Sequence, residues 1–326
     1  MANVLVGVAT YKRPAMLEDA LRSVAMLDTA AVVSVLVVDN SPSGEGVAVV
    51  ERLASDGYRF PITSQVVSEL GISHARNAVV AAGMTPPCAD FIAFLDDDQV
   101  AEPLWLDALL DMHRLTDAEA VGSAVYPKFE SAPAQWLIDS KAFRRDTSTD
   151  GPVATLYGTG GLLVKTSALR SLRGVWFDPA FALTGGEDAE FLSRLKDKGN
   201  RFARAKRSIV HEVYPASRTT LGWVLRRSFR IGSNDMRLFL TARSSWGVVV
   251  METLKVPAAL LVSPFIIVAS LGRPARQVDA LCSISRALGK ATALLGFRYE
   301  EYATPHSHCY PRGSGPRLTA RSDDDR

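Results

Sequence analysis

Cysteine is scarce in this 326-residue chain. Its three cysteines, Cys88, Cys282 and Cys309, are odd in number, far apart and in no CxxC spacing. That excludes a disulfide framework and a cysteine-type zinc site, and it fits a reducing compartment. The N-terminal stretch MANVLVGVATYKRP lacks the charged n-region and long apolar h-region of a signal peptide, so the first domain is expected in the cytoplasm. No GxGxxG follows the first apolar run, and neither GxxxxGKS, GxxxxGKT nor GxSxG occurs. The classical dinucleotide fingerprint and the P-loop are therefore absent, and an α/β-hydrolase is disfavoured. The charge-free run Val256–Gly272 is shorter than the roughly 20 residues a comfortable membrane-spanning helix needs.

What is present is enough apolar residue, 47%, for one large core domain and something extra. The net charge of +2 hides a local imbalance. Between residues 201 and 237 lie Arg201, Arg204, Lys206, Arg207, Arg218, Arg226, Arg227, Arg230 and Arg237, against Glu212 and Asp235. Such a block points to an anionic partner: phosphates, a lipid surface or nucleic acid. Few aromatics are interleaved with it, which argues against nucleic acid.

Short β-branched runs alternate with helical spacing along the first half of the chain. Val4–Ala9, Val32–Val38, Ile62–Val67 and Phe91–Leu95 predict buried strands. Ala15–Met26, Val47–Ala54, a segment from Gly71 to about Gly83 and Leu104–His113 predict helices. Strands apolar on both faces predict an α/β fold, a mostly parallel sheet with helices on both sides. Further on, Val121–Tyr126 reads as a strand, YGTGGLLVKTSAL as glycine turn, strand and helix, and Glu187–Lys196 as a helix. Phe202–Ala205 and Ser208–Val213 read as two strands around a Lys-Arg pair. Trp246–Leu271 is strongly apolar but interrupted by Glu252, Lys255, Pro257 and Pro264, with Arg273 and Arg276 beside it. Gln277–Phe297 is an amphipathic helix, and the tail from His306 has a disordered composition.

Three polar clusters fall at the carboxyl ends of predicted strands, where open α/β sheets bind ligands: Thr10–Arg13, Asp39–Ser41 and Asp96–Asp98. Asp96, Asp97 and Asp98 have no basic neighbour in sequence. They suit a divalent cation holding a diphosphate, which would bring the missing counter-charge; they also suit a solvated turn or helix cap. In GGED, an acid entering a helix after Gly185 and Gly186 suits a general base, or merely complements the helix dipole. Arg76 and Asn77, in the first turns of a helix, suit phosphate or nucleotide binding, while an exposed helical arginine is the plain alternative. His74 reads as a polar surface residue; His211, at a strand end, is either structural or part of a metal shell. His306–Cys309 (HSHC) sits in the tail and is not expected to bind metal.

Seven motifs then occur in a telling order: VGVATYKRP, VLVVDNS, GISHARN, FIAFLDDDQ, YGTGGLLVKTSAL, GGEDAEFLSRL and IVHEVYP, over roughly residues 4 to 215. Together they resemble the inverting family 2 glycosyltransferases of GT-A fold. GGEDAEFLSRL, RRSFRIGSND and LLGFRYEEY resemble the subgroup that builds bacterial exopolysaccharides such as succinoglycan. The resemblance implies that Thr10, Tyr11 and Arg13 line a nucleobase pocket, that Asp39 holds the base, and that Arg76 and Asn77 contact the nucleotide. It implies Asp96 and Asp98 as a DxD motif flanking Asp97, with Asp98 the direct metal ligand and His211 joining it. It also implies Gly160 and Gly161 on the sugar side, and Asp188 as general base beside Glu187. RRSFR (Arg226, Arg227, Arg230) stands where related enzymes carry QxxRW, without the Gln and Trp.

The expectation is a transferase that uses Mn2+ or Mg2+ and a nucleotide sugar, UDP-linked, with a saccharide acceptor, lipid-linked. No nucleic acid is expected to bind. The domains expected are 1–225 catalytic, 226–304 basic, apolar and membrane-associating, and 305–326 disordered. The protein is expected on the inner face of the membrane, peripheral or re-entrant. The alternatives are a non-catalytic binding subunit, which would not need both acidic motifs, and a nucleotidyltransferase, whose glycine-rich N-terminal loop ATYKRP does not supply.

Overall fold

The computed structural model describes residues 1–145, 147–173, 175–241, 246–299 and 318–320. In chain order these form β1 (Asn3–Thr10), α1 (Pro14–Ala25), β2 (Val32–Asp39), α2 (Glu45–Ser55), β3 (Ile62–Val66), α3 (Ile72–Met84), β4 (Phe91–Asp96), β5 (Gln99–Ala101), α4 (Trp105–Thr116) and β6 (Ala120–Phe129). There follow α5 (Gln135–Asp139), β7 (Gly151–Val153), β8 (Leu162–Lys165), α6 (Thr166–Arg170), α7 (Glu187–Asp197), β9 (Phe202–Tyr214), α8 (Leu221–Thr241), α9 (Trp246–Ala269), α10 (Pro274–Leu294), β10 (Phe297–Tyr299) and β11 (Leu318–Ala320).

The described strands β1 to β9 make one nine-stranded sheet, ordered β3-β2-β1-β4-β8-β6-β9-β5 with β7 also on β9. The β3-β2-β1-β4 half is parallel, and β8 joins β4 antiparallel. The α/β expectation is therefore borne out, with an antiparallel extension the sequence did not announce. Lys206 and Arg207 do not separate two strands; they are exposed side chains within the single strand β9.

Alternation along β1 explains the two-sided core. Val4, Val6 and Val8 face Leu17 and Leu21 of α1, Val49 of α2 and Leu109 of α4. Leu5 lies on the other side with Val79 and Val80 of α3, Leu169 of α6 and Phe191 of α7. Each such Val or Leu side chain contributes about 1.5–3 kcal/mol by leaving water. At Gly7 the approach is close: an added Cβ would lie 2.1 Å from Val79 Cγ1. That contact seats α3 on β1, and Arg76 stands one helical turn before Val79.

By internal contacts the chain divides into two units. The first comprises Met1–Lys128, Arg145–Ala182 and Glu187–Val213, and holds the sheet almost entirely. The second comprises Phe129–Arg144, Leu183–Gly186 and Tyr214–Arg326. The expected domain boundary between residues 225 and 226 falls inside α8. Within the second unit α8 and α10 cross at glycines: a Cβ on Gly232 would meet the Arg286 carbonyl oxygen at 2.0 Å, and one on Gly289 the Phe229 carbonyl oxygen at 2.0 Å. Helix α9 is continuous through Pro257 and Pro264 and carries a window of mean hydropathy 1.6. It is the one described helix long and apolar enough to cross a membrane. Glu252, Val256 and Ser263 are its buried residues, and Lys290 of α10 binds Glu252 at 2.5 Å. Trp246, Leu254, Leu261, Phe265 and Val268 stand exposed. The tail expected to be disordered, with HSHC, lies outside the described residues apart from β11.

Candidate active site

Strand register brings the polar clusters together. Thr10 pairs with Asp39 across β1 and β2, and Ala9 pairs with Asp96 across β1 and β4. The three carboxyl ends therefore finish at one level of the sheet.

The aspartate triplet finds its counter-charges within the chain. Arg13 Nη1 donates to Asp97 Oδ1 at 3.0 Å and to Asp98 Oδ2 at 3.2 Å, and Thr10 Oγ1 donates to Asp97 Oδ2 at 2.9 Å. Asp97 is thus buried at the centre of a network. Burial pushes its carboxyl up, Arg13 opposes this and Asp98 adds to it. Arg76 Nη2 donates to Asp96 Oδ1 at 2.9 Å, and its Nη1 pairs with Glu187 Oε1. The guanidinium also lies 5.8 Å from the Phe177 ring centre. Burial disfavours the charge of Arg76, but Asp96, Glu187 and Asp188 hold it firmly cationic. One buried cation therefore links the strand-end aspartates to the GGED segment.

The carboxylates around it outnumber it. Burial pushes Glu187 up to about 7, opposed by Arg76 and reinforced by Asp188. Glu187 is 4% exposed, and its Oε2 is buried without a hydrogen-bond partner. Asp96 is pushed up to about 6 by burial, against Arg76 and with help from Asp98 and Glu212. Its side chain keeps 35% of its surface open, so burial weighs less on it than on Glu187, and crowding by like charges supplies the same direction. Asp188, the second residue of α7, accepts from the Ala189 amide at 2.7 Å. Its Oδ2 would stand 3.4 Å from a Cβ built on Gly158.

The glycines of YGTGG allow a close approach that a side chain would block. A Cβ on Gly160 would meet Asp96 Oδ2 at 2.5 Å and Gln99 Nε2 at 2.3 Å. Gly161 has φ +76° and donates its amide to the Phe94 carbonyl at 2.9 Å. Gln99, 2% exposed, accepts from the Asp96 amide at 3.1 Å; it was passed over although it follows the triplet directly.

Other expected residues make contacts within the chain. Asp39 is fully buried, and its two oxygens accept from the Ser41 and Gly46 amides at 2.8 and 2.7 Å. Asn77 spends its amide on the backbone of Phe177, donating to its carbonyl and accepting from its N–H at 2.8 Å each. His211 Nε2 meets Glu102 Oε1 at 2.8 Å, with the Tyr126 ring 6.2 Å away. Arg227 of RRSFR packs over the rings of Phe143, Tyr214 and Trp223. Tyr11 lies beside Lys12, whose Nζ is 5.4 Å from its ring centre.

Among the described residues no group of three or more His, Cys, Asp or Glu side chains is arranged to hold a metal ion. The donor chemistry of Asp96 and Asp98 nonetheless fits a hard cation, because Mg2+ and its relatives take one or two carboxylates and draw further oxygens from substrate phosphates. The excess of carboxylate over guanidinium, seen in the raised Asp96 and the orphaned Glu187 Oε2, fits the arrival of a cation as well.

Comparisons with known proteins identify the family and the fold. A profile of Glycosyl transferase family 2 matches residues 5–172. The succinoglycan biosynthesis protein ExoM of Rhizobium meliloti is 32% identical over 253 residues, 76% of this chain and 79% of that protein. S. aureus TarS 1-349 in complex with UDP-GlcNAc has a TM-score of 0.52 at 14% identity, covering 98% of this chain and 100% of that one. The mannosyltransferase PcManGT from Pyrobaculum calidifontis, in complex with GDP-Man and Mn2+, has a TM-score of 0.61 at 18% identity, covering 89% of this chain and 87% of that one. The two structural likenesses bear on the fold, and the GT-A expectation is borne out.

Proposed function

Because the chain belongs to glycosyl transferase family 2 and is a glycosyltransferase, we propose that it moves a sugar from a nucleotide sugar, UDP-linked, to a lipid-linked saccharide during exopolysaccharide synthesis. Family membership displaces the two alternatives, a non-catalytic binding subunit and a nucleotidyltransferase. The observation that carries the reading is the buried Asp96–Arg76–Glu187 chain, which joins the carboxyl edge of the sheet to the segment holding Asp188.

In this mechanism Thr10, Tyr11, Arg13 and Asp39 form the nucleobase end, and Gly160, close against Asp96, and Gly161 line the donor-sugar side. Asp96 and Asp98 would hold a divalent cation, Mn2+ or Mg2+, which would supply charge stabilisation to the departing diphosphate. Asp188 takes the proton of the acceptor hydroxyl as its oxygen bonds to the anomeric carbon and the bond to the diphosphate breaks. Displacement in line inverts the anomeric centre, and holding both partners in line provides much of the rate. His211 is a reserve ligand only if its bond to Glu102 is exchanged.

Asp188→Asn is expected to keep nucleotide binding and lose transfer in a screen of nucleotide sugars with Mn2+ and Mg2+; normal turnover removes Asp188 as base. Asp98→Ala is expected to weaken metal-dependent UDP binding, and an unchanged titration curve removes it as ligand.

The membrane reading rests on α9. Its outward residues include Phe265, 77% exposed, and Arg273 and Arg276 follow it where anionic headgroups would lie. Flotation with anionic vesicles at high salt tests it: protein left wholly in the soluble fraction overturns the location on the inner membrane face.

A further inference from the structure

We propose that Asn234 and Arg237, on α8, are positioning residues for Asp188, acting through the turn Leu183–Gly186 that leads into α7. The inference rests on the reading of Asp188 as the base. Asn234 Nδ2 donates to the Thr184 carbonyl at 3.0 Å, and Arg237 Nη1 donates to Thr184 Oγ1 at 2.5 Å. Thr184 is buried, and its hydroxyl donates in turn to the Gly185 carbonyl at 3.2 Å. Gly185 and Gly186 have φ of +74° and +91°. A Cβ on Gly186 would lie 3.2 Å from Asn234 Cβ and 3.3 Å from its Cγ.

Two consecutive glycines in this region form a turn with high intrinsic freedom, which the bond from the Thr184 hydroxyl to the Gly185 carbonyl restrains only in part. Asn234 and Arg237 remove that freedom from outside, one on the backbone and one on the side chain of Thr184. The amide of Asn234 has one workable orientation, because the flipped form would bring two oxygens to 3.0 Å of each other. Asp188 is two residues beyond Gly186, so play in the turn passes to its carboxylate within one helical turn. The positive φ of Gly186 calls for glycine, and the nearness of Asn234 leaves little room for a side chain there. Arg237, counted within the basic block, has a partner inside the fold.

The test uses the full chain, with the nucleotide sugar found in the screen as donor and UDP plus Mn2+ as the binding probe. Asn234→Ala and Arg237→Met are expected to lower kcat about 10- to 100-fold, the cost of a misplaced catalytic group, while the Kd for UDP stays within about twofold. Arg237→Lys and Thr184→Ser are expected to recover most of the rate. Thr184→Val, which keeps the shape of the side chain, is expected to fall at least as far as Arg237→Met, and the double variant to match Thr184→Val, because the valine removes the bond to Arg237 together with that to Gly185. Wild-type kcat in Asn234→Ala, Arg237→Met and Thr184→Val, with Asp188→Asn inactive, overturns this inference alone. A parallel loss of UDP affinity and kcat in Thr184→Val overturns it too, since the turn would then have a general structural role. Full turnover in Asp188→Asn instead overturns the reading on which the inference rests.

Discussion

Without the guanidinium of Arg76, Asp96 and Glu187 would face a common space with no positive charge between them. Arg76→Met is expected to cost about 3–5 kcal/mol, the penalty for breaking a buried ion pair, read as a lower urea midpoint. The raised carboxyls make a separate prediction. A carboxyl whose folded pKa exceeds its unfolded value binds its proton more tightly when folded. Stability is then fullest below the unfolded value, near 4.5 for Glu187, and declines as pH rises through the folded value, about 7. Thermal midpoints are expected to fall between pH 5 and 8, and Glu187→Gln, which cannot ionise, to flatten the decline. Little of this was legible from the residues alone. Asp97, the middle residue of the triplet, accepts from both Thr10 and Arg13. Its partners Thr10 and Arg13 are more than eighty residues away and arrive because β1 lies beside β4, an order that the local pattern does not encode.

At the scale of elements, long periodic segments were read well and short ones were not. The helix boundaries of α1 to α4 follow their apolar spacing within a few residues. Strands β5 and β7, three residues each, are too brief to show a period, and β5 places Val100 opposite His211. The glycine crossing of α8 and α10 was equally hidden, since a small residue is silent in an apolar pattern. Gly289→Ala is expected to destabilise by about 1–3 kcal/mol, because the added carbon meets a backbone oxygen and the helices must separate. A lower melting temperature with unchanged UDP affinity is the expected reading. On α9, replacing Leu261 and Phe265 with Asp is expected to reduce vesicle flotation without loss of helical circular dichroism, as both side chains point away from the packed stripe.

At the scale of the whole molecule, the fold was legible because four strand–helix repeats in sequence leave few topologies open. The antiparallel half was not, since its strands come from scattered segments between residues 99 and 214. Nucleotide binding is expected to appear as a global effect. If UDP with Mn2+ binds the folded chain alone, a hundredfold excess over Kd adds about 2.7 kcal/mol to stability, visible as a rise in melting temperature. UDP without the metal is expected to add less.

The shared level of Thr10, Asp39 and Asp96 has a consequence for how such a protein can change. Insertions at the opposite, amino ends of β1, β2 and β4 leave this alignment alone, whereas a single added residue inside any of the three strands would turn its terminal side chain to the other face. A change in chain length is accordingly expected to be tolerated ahead of these strands and not within them.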